Sequence, residues 1–469
     1  MLKLKDNTLA TDIDSAQYNF RSISEEPNFF EEIFPYDELP KIIFDFNRVP
    51  MNLPENIFIT DTTFRDGEQA REPYTLEQRI KLFDFLHELG GPKGVIKMTE
   101  FFLYTKRDKE TVKACLSKGY EYPRVTGWIR ATMNDLELVK ELKLEETGIL
   151  ASISDYHIYY KLKSNRRDIL KKYIKVIEEA LKNDIIPRVH LEDVTRADIY
   201  NVVLPFVKDL MMLSEKYGLP VKVRLPDTLG LGLPFPEVAL PRSIPKIVFV
   251  LTQLGNVPSE WIEFHGHSDF HLSIANSMSA WLYGAGGVNC TLLGIGERTG
   301  NTPLEAMVMA YIQLKGTDDG MRTEVITEIA EYYEKEIGYQ IPPFQPFVGK
   351  NFNVTRAGIH ADGLIKNERV YLPFNTAKIL KKPASVAITN RSGTAGIAFW
   401  INTHFKLRDS EKISKNDPSV LNIFEEIMRE YDLGRITALS DNEMFKLIQR
   451  FMPEFWEKYS YRLSLFDRR

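Results

Sequence analysis

Three residues in this chain have the types and spacing to do metal chemistry. His265 and His267 flank Gly266 in the run WIEFHGHS. In an extended strand, side chains two apart leave on the same face, so both imidazoles can reach one point while the glycine adds no bulk. A carboxylate would complete the set, and Asp66 in DTTFRDGEQ is the best donor. Two imidazoles and one carboxylate can hold a divalent cation and leave positions open for substrate oxygens, as Lewis-acid work requires. The plainer readings are a structural histidine pair and an aspartate that caps a helix. Arg65 beside Asp66, and Gln69 nearby, make the cap reading less complete.

The elements that must position these residues alternate along the chain. Short runs rich in Val and Ile occur at 57–63, 94–102, 124–131, 148–154, 185–193, 221–228, 261–268 and 287–294. Between them lie amphipathic helical patterns such as TLEQRIKLFDFLHELG and DILKKYIKVIEEALKN, with apolar residues three to four apart. Eight strands separated by helices over about 250 residues is the pattern of a TIM (β/α)8 barrel, an α/β fold. A doubly wound open sheet would show a Gly-rich fingerprint after its first strand, and here that strand runs into DTTFRDGEQ.

A barrel carries its site at the C-terminal ends of the strands. Polar, reactive residues collect there: Arg65, Asp66 and Gln69; Glu100; Arg130; Ser154, Asp155 and His157; Glu192 and Asp193; Asp227 and Thr228; His265 and His267; then Gly294, Gly296, Glu297 and Arg298. One such end is easily a cap or turn, but eight together point to a site. The turn at 294–300 reads equally as a phosphate cradle for a cofactor or as a tight turn.

The catalytic barrel is expected over 55–316. Residues 1–54, rich in aromatic and acidic side chains, are expected to form an arm on the barrel or on a second subunit. A linker and small subdomain are expected over 317–400, and a charged helical C-terminal region over 401–469. With 469 residues, 43% hydrophobic and 12% aromatic, the chain can bury more than one core. A net charge of -5 gives no footprint for nucleic acid or an anionic membrane. No run of about 18 apolar residues suggests a membrane span. Two cysteines, Cys115 and Cys290, and an N-terminus unlike a secretory signal point to the cytoplasm.

DTTFRDGEQ, LPDTLG, HGHSD and GIGERTGNTPLE resemble the signatures of the 2-isopropylmalate and homocitrate synthase family, TIM-barrel metalloenzymes that condense acyl-CoA. SDYHIYYKLKSNRRDIL, HLEDVTRADI, PFVGKNFNVTRAGIHADGLIKN and NRSGTAG extend the resemblance over about 55–400. The arm and the wording TTFRDGEQAREPYT look most like the Re-face citrate synthases. The resemblance implies that Asp66, His265 and His267 hold a divalent metal ion (Mn2+, Co2+, Mg2+ or Zn2+). It implies that Arg65 polarises a keto oxygen, that Thr228 holds the carboxylate of a 2-oxo acid, and that Glu192 lies beside the acetyl methyl of acetyl-CoA. His360, in AGIHADG, would be the general base, supplied across a homodimer with composite sites.

Gln69, Glu100, Arg130 and His157 are further candidates for the substrate, and the 294–298 turn for acetyl-CoA. Basic residues near the mouth, with His190 and Arg196 among them, favour a dicarboxylate, hence oxaloacetate, over a branched apolar acid. Homocitrate or 2-isopropylmalate synthesis is the alternative within the family. Leu293 stands where the family usually has an asparagine, which bears on the ligand set. A lyase of the 3-hydroxy-3-methylglutaryl-CoA type is the reading from another class, but GERTGNTPLE lacks the cysteine expected of it.

Overall fold

Strands short enough to be buried on both faces, each followed by a helix, close on themselves in this chain. The computed structural model describes residues 2–5, 8–11 and 23–465. The barrel strands are β1 (Phe58–Asp61), β2 (Ile96–Phe102), β3 (Arg124–Arg130), β4 (Glu146–Ser152), β5 (Ile186–Glu192), β6 (Lys222–Asp227), β7 (Ile262–Gly266) and β8 (Gly287–Cys290). All pair in parallel, and β8 returns to β1 with Gly287 opposite Phe58, so the sheet is a closed barrel. The expected TIM barrel is the observed one, with each strand inside the run that predicted it or within two residues of it.

Eight helices follow the strands in turn: α1 (Leu76–Gly90), α2 (Lys106–Ser117), α3 (Met133–Glu141), α4 (Arg166–Lys182), α5 (Leu204–Tyr217), α6 (Ile244–Phe249), α7 (Ser273–Tyr283) and α8 (Leu304–Lys315). Their starts are written in the sequence. Thr75 and Gln78 form a capping box at α1, and Asn165 caps α4 through the amide of Asp168. The apolar stripe of α4 buries Ile169, Tyr173, Val176, Ile177 and Ala180 against the sheet.

The chain divides into two compact units, Met1–Arg322 and Thr323–Arg469. The part of the arm over 23–54 packs on the barrel unit: Ile33, Phe34 and Ile43 share a small core with Leu231 and Ala239. Residues 1, 6–7 and 12–22 of the expected arm lie outside the described residues. The second unit contains α9 (Val325–Tyr332), α10 (Gly358–Lys366), α11 (Thr376–Leu380), α12 (Gly393–His404), α13 (Pro418–Asp432), α14 (Asp441–Phe451) and α15 (Pro453–Tyr459). The expected boundary at 400/401 falls inside α12, and one apolar cluster runs from Ala361 through Trp400 to Tyr459. The stretches 361–400 and 401–459 therefore share a core. Among the described residues, no helix is long and apolar enough to cross a membrane.

Candidate active site

The turn after β1 returns sharply, its Asp66 amide bonding to the Thr62 carbonyl at 2.8 Å, and this brings Asp66 over the barrel mouth. Its side chain makes no helix-cap bond. Asp66 Oδ2 lies 3.3 Å from His265 Nε2 and 3.5 Å from His267 Nε2, and the two imidazole nitrogens are 3.1 Å apart. All three residues are buried. Burial alone would raise the Asp66 carboxyl, but Arg65 and the two histidines outweigh it and hold it well below the usual range. Burial pushes the His267 imidazole down to about 3 despite Asp66, so its lone pair is not lost to a proton at neutral pH.

The neighbours complete the arrangement. Asn289 of β8 sits in register with His265, and its Oδ1 is 2.6 Å from His265 Nδ1, while its amide nitrogen donates to Thr60 Oγ1 at 2.8 Å. Because the Asn289 amide nitrogen is already turned to Thr60, its oxygen faces His265. With an N–H on Nδ1 turned to Asn289, His265 presents the lone pair of Nε2, which lies 3.4 Å from the Asn301 amide nitrogen. Asn301 donates to Asp66 Oδ2 at 2.6 Å, and its own Oδ1 is buried without a hydrogen-bond partner. Three lone-pair donors facing one another fit a divalent cation, and turning the Asn301 amide over would bring its unpartnered oxygen to the same point.

Neither asparagine was singled out by the sequence reading. Position 293, where the family asparagine was expected, has a left-handed backbone (φ 58°) with its side chain buried. Asparagine is tolerated in that conformation far better than leucine. A backbone preference thus accounts for an asparagine there, while Asn289 and Asn301 serve the triad.

A cavity of about 230 Å³ lies against the triad, lined by Arg65, Gln69, Trp128, His190, Glu192, Thr228, Glu297 and Arg298 among others. Arg65 donates from Nη1 to Asp66 at 2.8 Å and from Nε to Glu100 at 3.0 Å, so its plane is fixed. Thr228 Oγ1 accepts the Asp193 amide at 2.9 Å, which leaves its hydroxyl hydrogen for another acceptor. Glu192 Oε2 accepts from Ser152 Oγ, and His157 Nδ1 and Lys161 Nζ each lie 3.0 Å from it. Burial would raise the Glu192 carboxyl, but these partners hold it down at about 2, so it is ionised. His190 receives the Trp128 indole N–H on Nδ1 at 3.3 Å, and burial keeps it neutral.

Several residues expected to contact the substrate have partners within the chain instead of facing the cavity. Glu100 is fully buried in the middle of β2, where Arg65, Arg188 and Arg224 take both its oxygens, so nothing remains for a substrate. Arg130 turns outward into a bidentate pair with Asp135 at 2.9 Å and does not line the cavity. His157 faces Glu192 from behind instead of the cavity, and Arg196 is bound to Asp193.

In the 294–298 turn the Gly294 amide is spent on the Thr291 carbonyl at 3.1 Å. Gly296 is glycine for a packing reason, because a Cβ there would fall 1.6 Å from Asn301 Oδ1. Glu297 and Arg298 do reach the cavity, but Arg298 clasps Asp269 and the Thr228 carbonyl. His360 belongs to the second unit, exposed near the start of α10, with the Tyr371 ring 4.4 Å away.

A family profile described as HMGL-like matches residues 56–332. A protein named Citrate (Re)-synthase from Clostridium kluyveri is 51% identical over 450 residues, spanning 96% of this chain and 99% of that protein. A second Citrate (Re)-synthase, from Syntrophus aciditrophicus, is 50% identical over 432 residues, spanning 92% of this chain and 69% of its own length. A 2-phosphinomethylmalate synthase from Streptomyces hygroscopicus is 38% identical over 435 residues, spanning 91% and 97%.

Proposed function

The chain belongs to the HMGL-like family, and on that premise we propose that it joins acetyl-CoA to oxaloacetate, giving citrate and free CoA. The observation that carries this reading is the Asp66–His265–His267 triad against a small polar cavity. Identity of about half, over nearly the whole chain, to proteins named Citrate (Re)-synthase supports the choice of acid. Of the basic residues expected to favour a dicarboxylate, Arg65 and His190 line the cavity and Arg130, His157 and Arg196 do not. The selection of oxaloacetate therefore rests on the relatives more than on a count of charges.

Asp66, His265 and His267 would hold a divalent ion (Mn2+, Co2+, Mg2+ or Zn2+), which when bound draws electron density from the keto carbon. The remaining work falls to the chain. Arg65, fixed by Asp66 and Glu100, adds positive charge where the alkoxide develops. The Thr228 hydroxyl donates to the carboxylate of the 2-oxo acid. Glu192 stays ionised and orients the acetyl group. His360 takes a methyl proton, the enolate attacks the keto carbon, and hydrolysis of the thioester makes the reaction one-way. A positioned base of this kind contributes about 10²–10⁴-fold.

We assign His360 to the site of a partner protomer, in a homodimer with composite sites. Its exposure on α10, with its ring set against Tyr371, supports a role beyond packing. A cytoplasmic location fits the two free, buried cysteines. The test is complementation. His360→Ala and His265→Ala chains should each be nearly inactive alone and should regain CoA release when co-expressed. Recovery would show that sites are shared between protomers. Near-normal turnover of His360→Ala alone would remove it as the base.

A further inference from the structure

We propose that the first part of the N-terminal arm is a positioning device for the reaction: residues 24–29, with Phe29 at the centre, clamp the turn that holds Glu192. The proposal rests on the reading of Glu192 as the group that orients the acetyl methyl.

The turn after β4, Tyr156–Lys161, is a single coil of helix with two working faces. Residues 157 and 161, four apart, share one face, and both His157 and Lys161 reach the Glu192 carboxylate. Residues 156, 159 and 160, at spacings of three and four, share the other. That second face meets the arm. Phe29 stacks on Tyr160 with ring centroids 5.1 Å apart and lies edge-on to Tyr156 at 5.3 Å and to Tyr159 at 6.2 Å. The Tyr156 hydroxyl donates to the Phe29 carbonyl at 2.8 Å, and the Tyr159 hydroxyl to the Glu25 carbonyl at 3.2 Å.

Just before the turn, Asp155 accepts the Asn28 amide at 2.7 Å and pairs with Arg166, which donates to the Ser24 carbonyl at 2.9 Å. Asp155 and Arg166 are each 1% exposed, so the arm is joined to a buried ion pair and not to a surface chain.

The contacts are concentrated. Four polar bonds from residues 24–29 land on 155–166; beyond these, Glu25 pairs with Arg167, the Ser24 amide bonds to the Asn201 carbonyl, and Asn28 Oδ1 accepts the Phe30 amide. The later part of the arm is directed elsewhere: Ile33, Phe34 and Ile43 pack on Leu231 and Ala239, and Lys41, Asp45 and Arg48 bond to Arg242, Lys246 and Glu237. Residues 24–29 instead grip the back of the element whose front carries two of the three groups bonded to Glu192. A carboxylate displaced by an ångström at a reacting centre costs roughly 100-fold in rate, so the grip bears on turnover.

The test uses the full chain with saturating metal, acetyl-CoA and oxaloacetate. Phe29→Ala should lower kcat roughly tenfold or more, with KM for oxaloacetate nearly unchanged, because Glu192 serves the other substrate. Phe29→Tyr, which keeps the ring, should restore kcat. Tyr156→Phe, which removes only the bond to the Phe29 carbonyl, should show a smaller loss of the same kind. Glu192→Gln, measured alongside, separates the two claims. If Glu192→Gln is inactive while Phe29→Ala and Tyr156→Phe both keep wild-type kcat per folded molecule, the clamp is overturned and the role of Glu192 stands. If Glu192→Gln itself turns over normally, the reading beneath the clamp falls, and the clamp with it.

Discussion

Inside the barrel, Glu100, Glu146 and Glu263 face Arg188 and Arg224, every one of them buried. Inside the second unit, Trp400, Phe405, Val420, Ile423 and Ile427 pack with Met444 and Ile448, and among the described residues of that unit no charged side chain is buried. The apolar cluster gains stability simply by leaving water. The charged lumen gains little that way, since desolvating ions costs several kcal/mol each and the pairing roughly repays it. What the lumen supplies is orientation. Glu100 is held by Arg188 and Arg224 from below and holds Arg65 from above, so a guanidinium at the cavity floor is fixed by charges beneath it. The same partners keep Glu100 well below the usual carboxylate range although burial would raise it. The difference teaches that the two interiors answer to different demands, one to geometry at the site and the other to cohesion.

The contrast can be broken most severely where the lumen opens to the cavity. His267→Ala should abolish turnover, and added metal should not restore it after chelation. Asn289→Ala, which removes the support behind His265 together with a bond to Thr60, should weaken metal affinity by roughly 10–100-fold in chelator competition. Phe405→Ala in the apolar cluster should leave metal affinity unchanged; a loss there would mean the interiors are not separable.

A smaller effect separates orientation from cohesion. Glu100→Gln breaks the buried network and should destabilise the barrel by about 3–5 kcal/mol, with a fall in kcat as Arg65 loses its anchor. Ile423→Ala should cost a similar 2–5 kcal/mol in denaturant unfolding, yet keep kcat below its melting range. Equal kcat losses in the two variants would contradict the division of labour.

The smallest expected effect is one of pH. Asp61, at the end of β1, is raised from 3.8 to about 6 by burial, even with Thr63 and Thr99 donating to it, and Glu100 adds to the rise. A carboxyl raised in the folded state contributes stability that is present in full below its ordinary pKa and is lost as pH climbs through the folded one. The melting temperature of the wild type relative to Asp61→Asn should therefore fall between about pH 4 and pH 6 and level off above. A difference that grows with pH would mean that Asp61 is stabilised as the anion.

The alternation of Val- and Ile-rich runs with amphipathic helices was enough to read the barrel, because each element carries its own period. The histidine pair was legible for the same reason, since a spacing of two fixes a shared face on a strand. Asn289 and Asn301 were not. Asn289 meets His265 only because β8 pairs with β7, and Asn301 reaches Asp66 only through the fold of the loop after β8. That Glu100, Arg130 and His157 do not line the cavity was not legible, because standing near a strand end says nothing about which way a side chain turns. The partners Arg188 and Arg224, Asp135, and Glu192 decided each case. The charged lumen went unread because β-strand residues such as Arg188 and Arg224 find their partners across the barrel and not along the chain.

The central claim is most directly tested by CoA-thiol release from acetyl-CoA in the metal-loaded protein, comparing kcat/KM for oxaloacetate, 2-oxoglutarate and 2-oxoisovalerate, since discrimination is the ratio of those values. Oxaloacetate should be preferred, with citrate as the product and activity lost on chelation. Preference for 2-oxoglutarate would keep the metal-dependent condensation and overturn the acid; preference for 2-oxoisovalerate, or full activity without metal, would contradict the account.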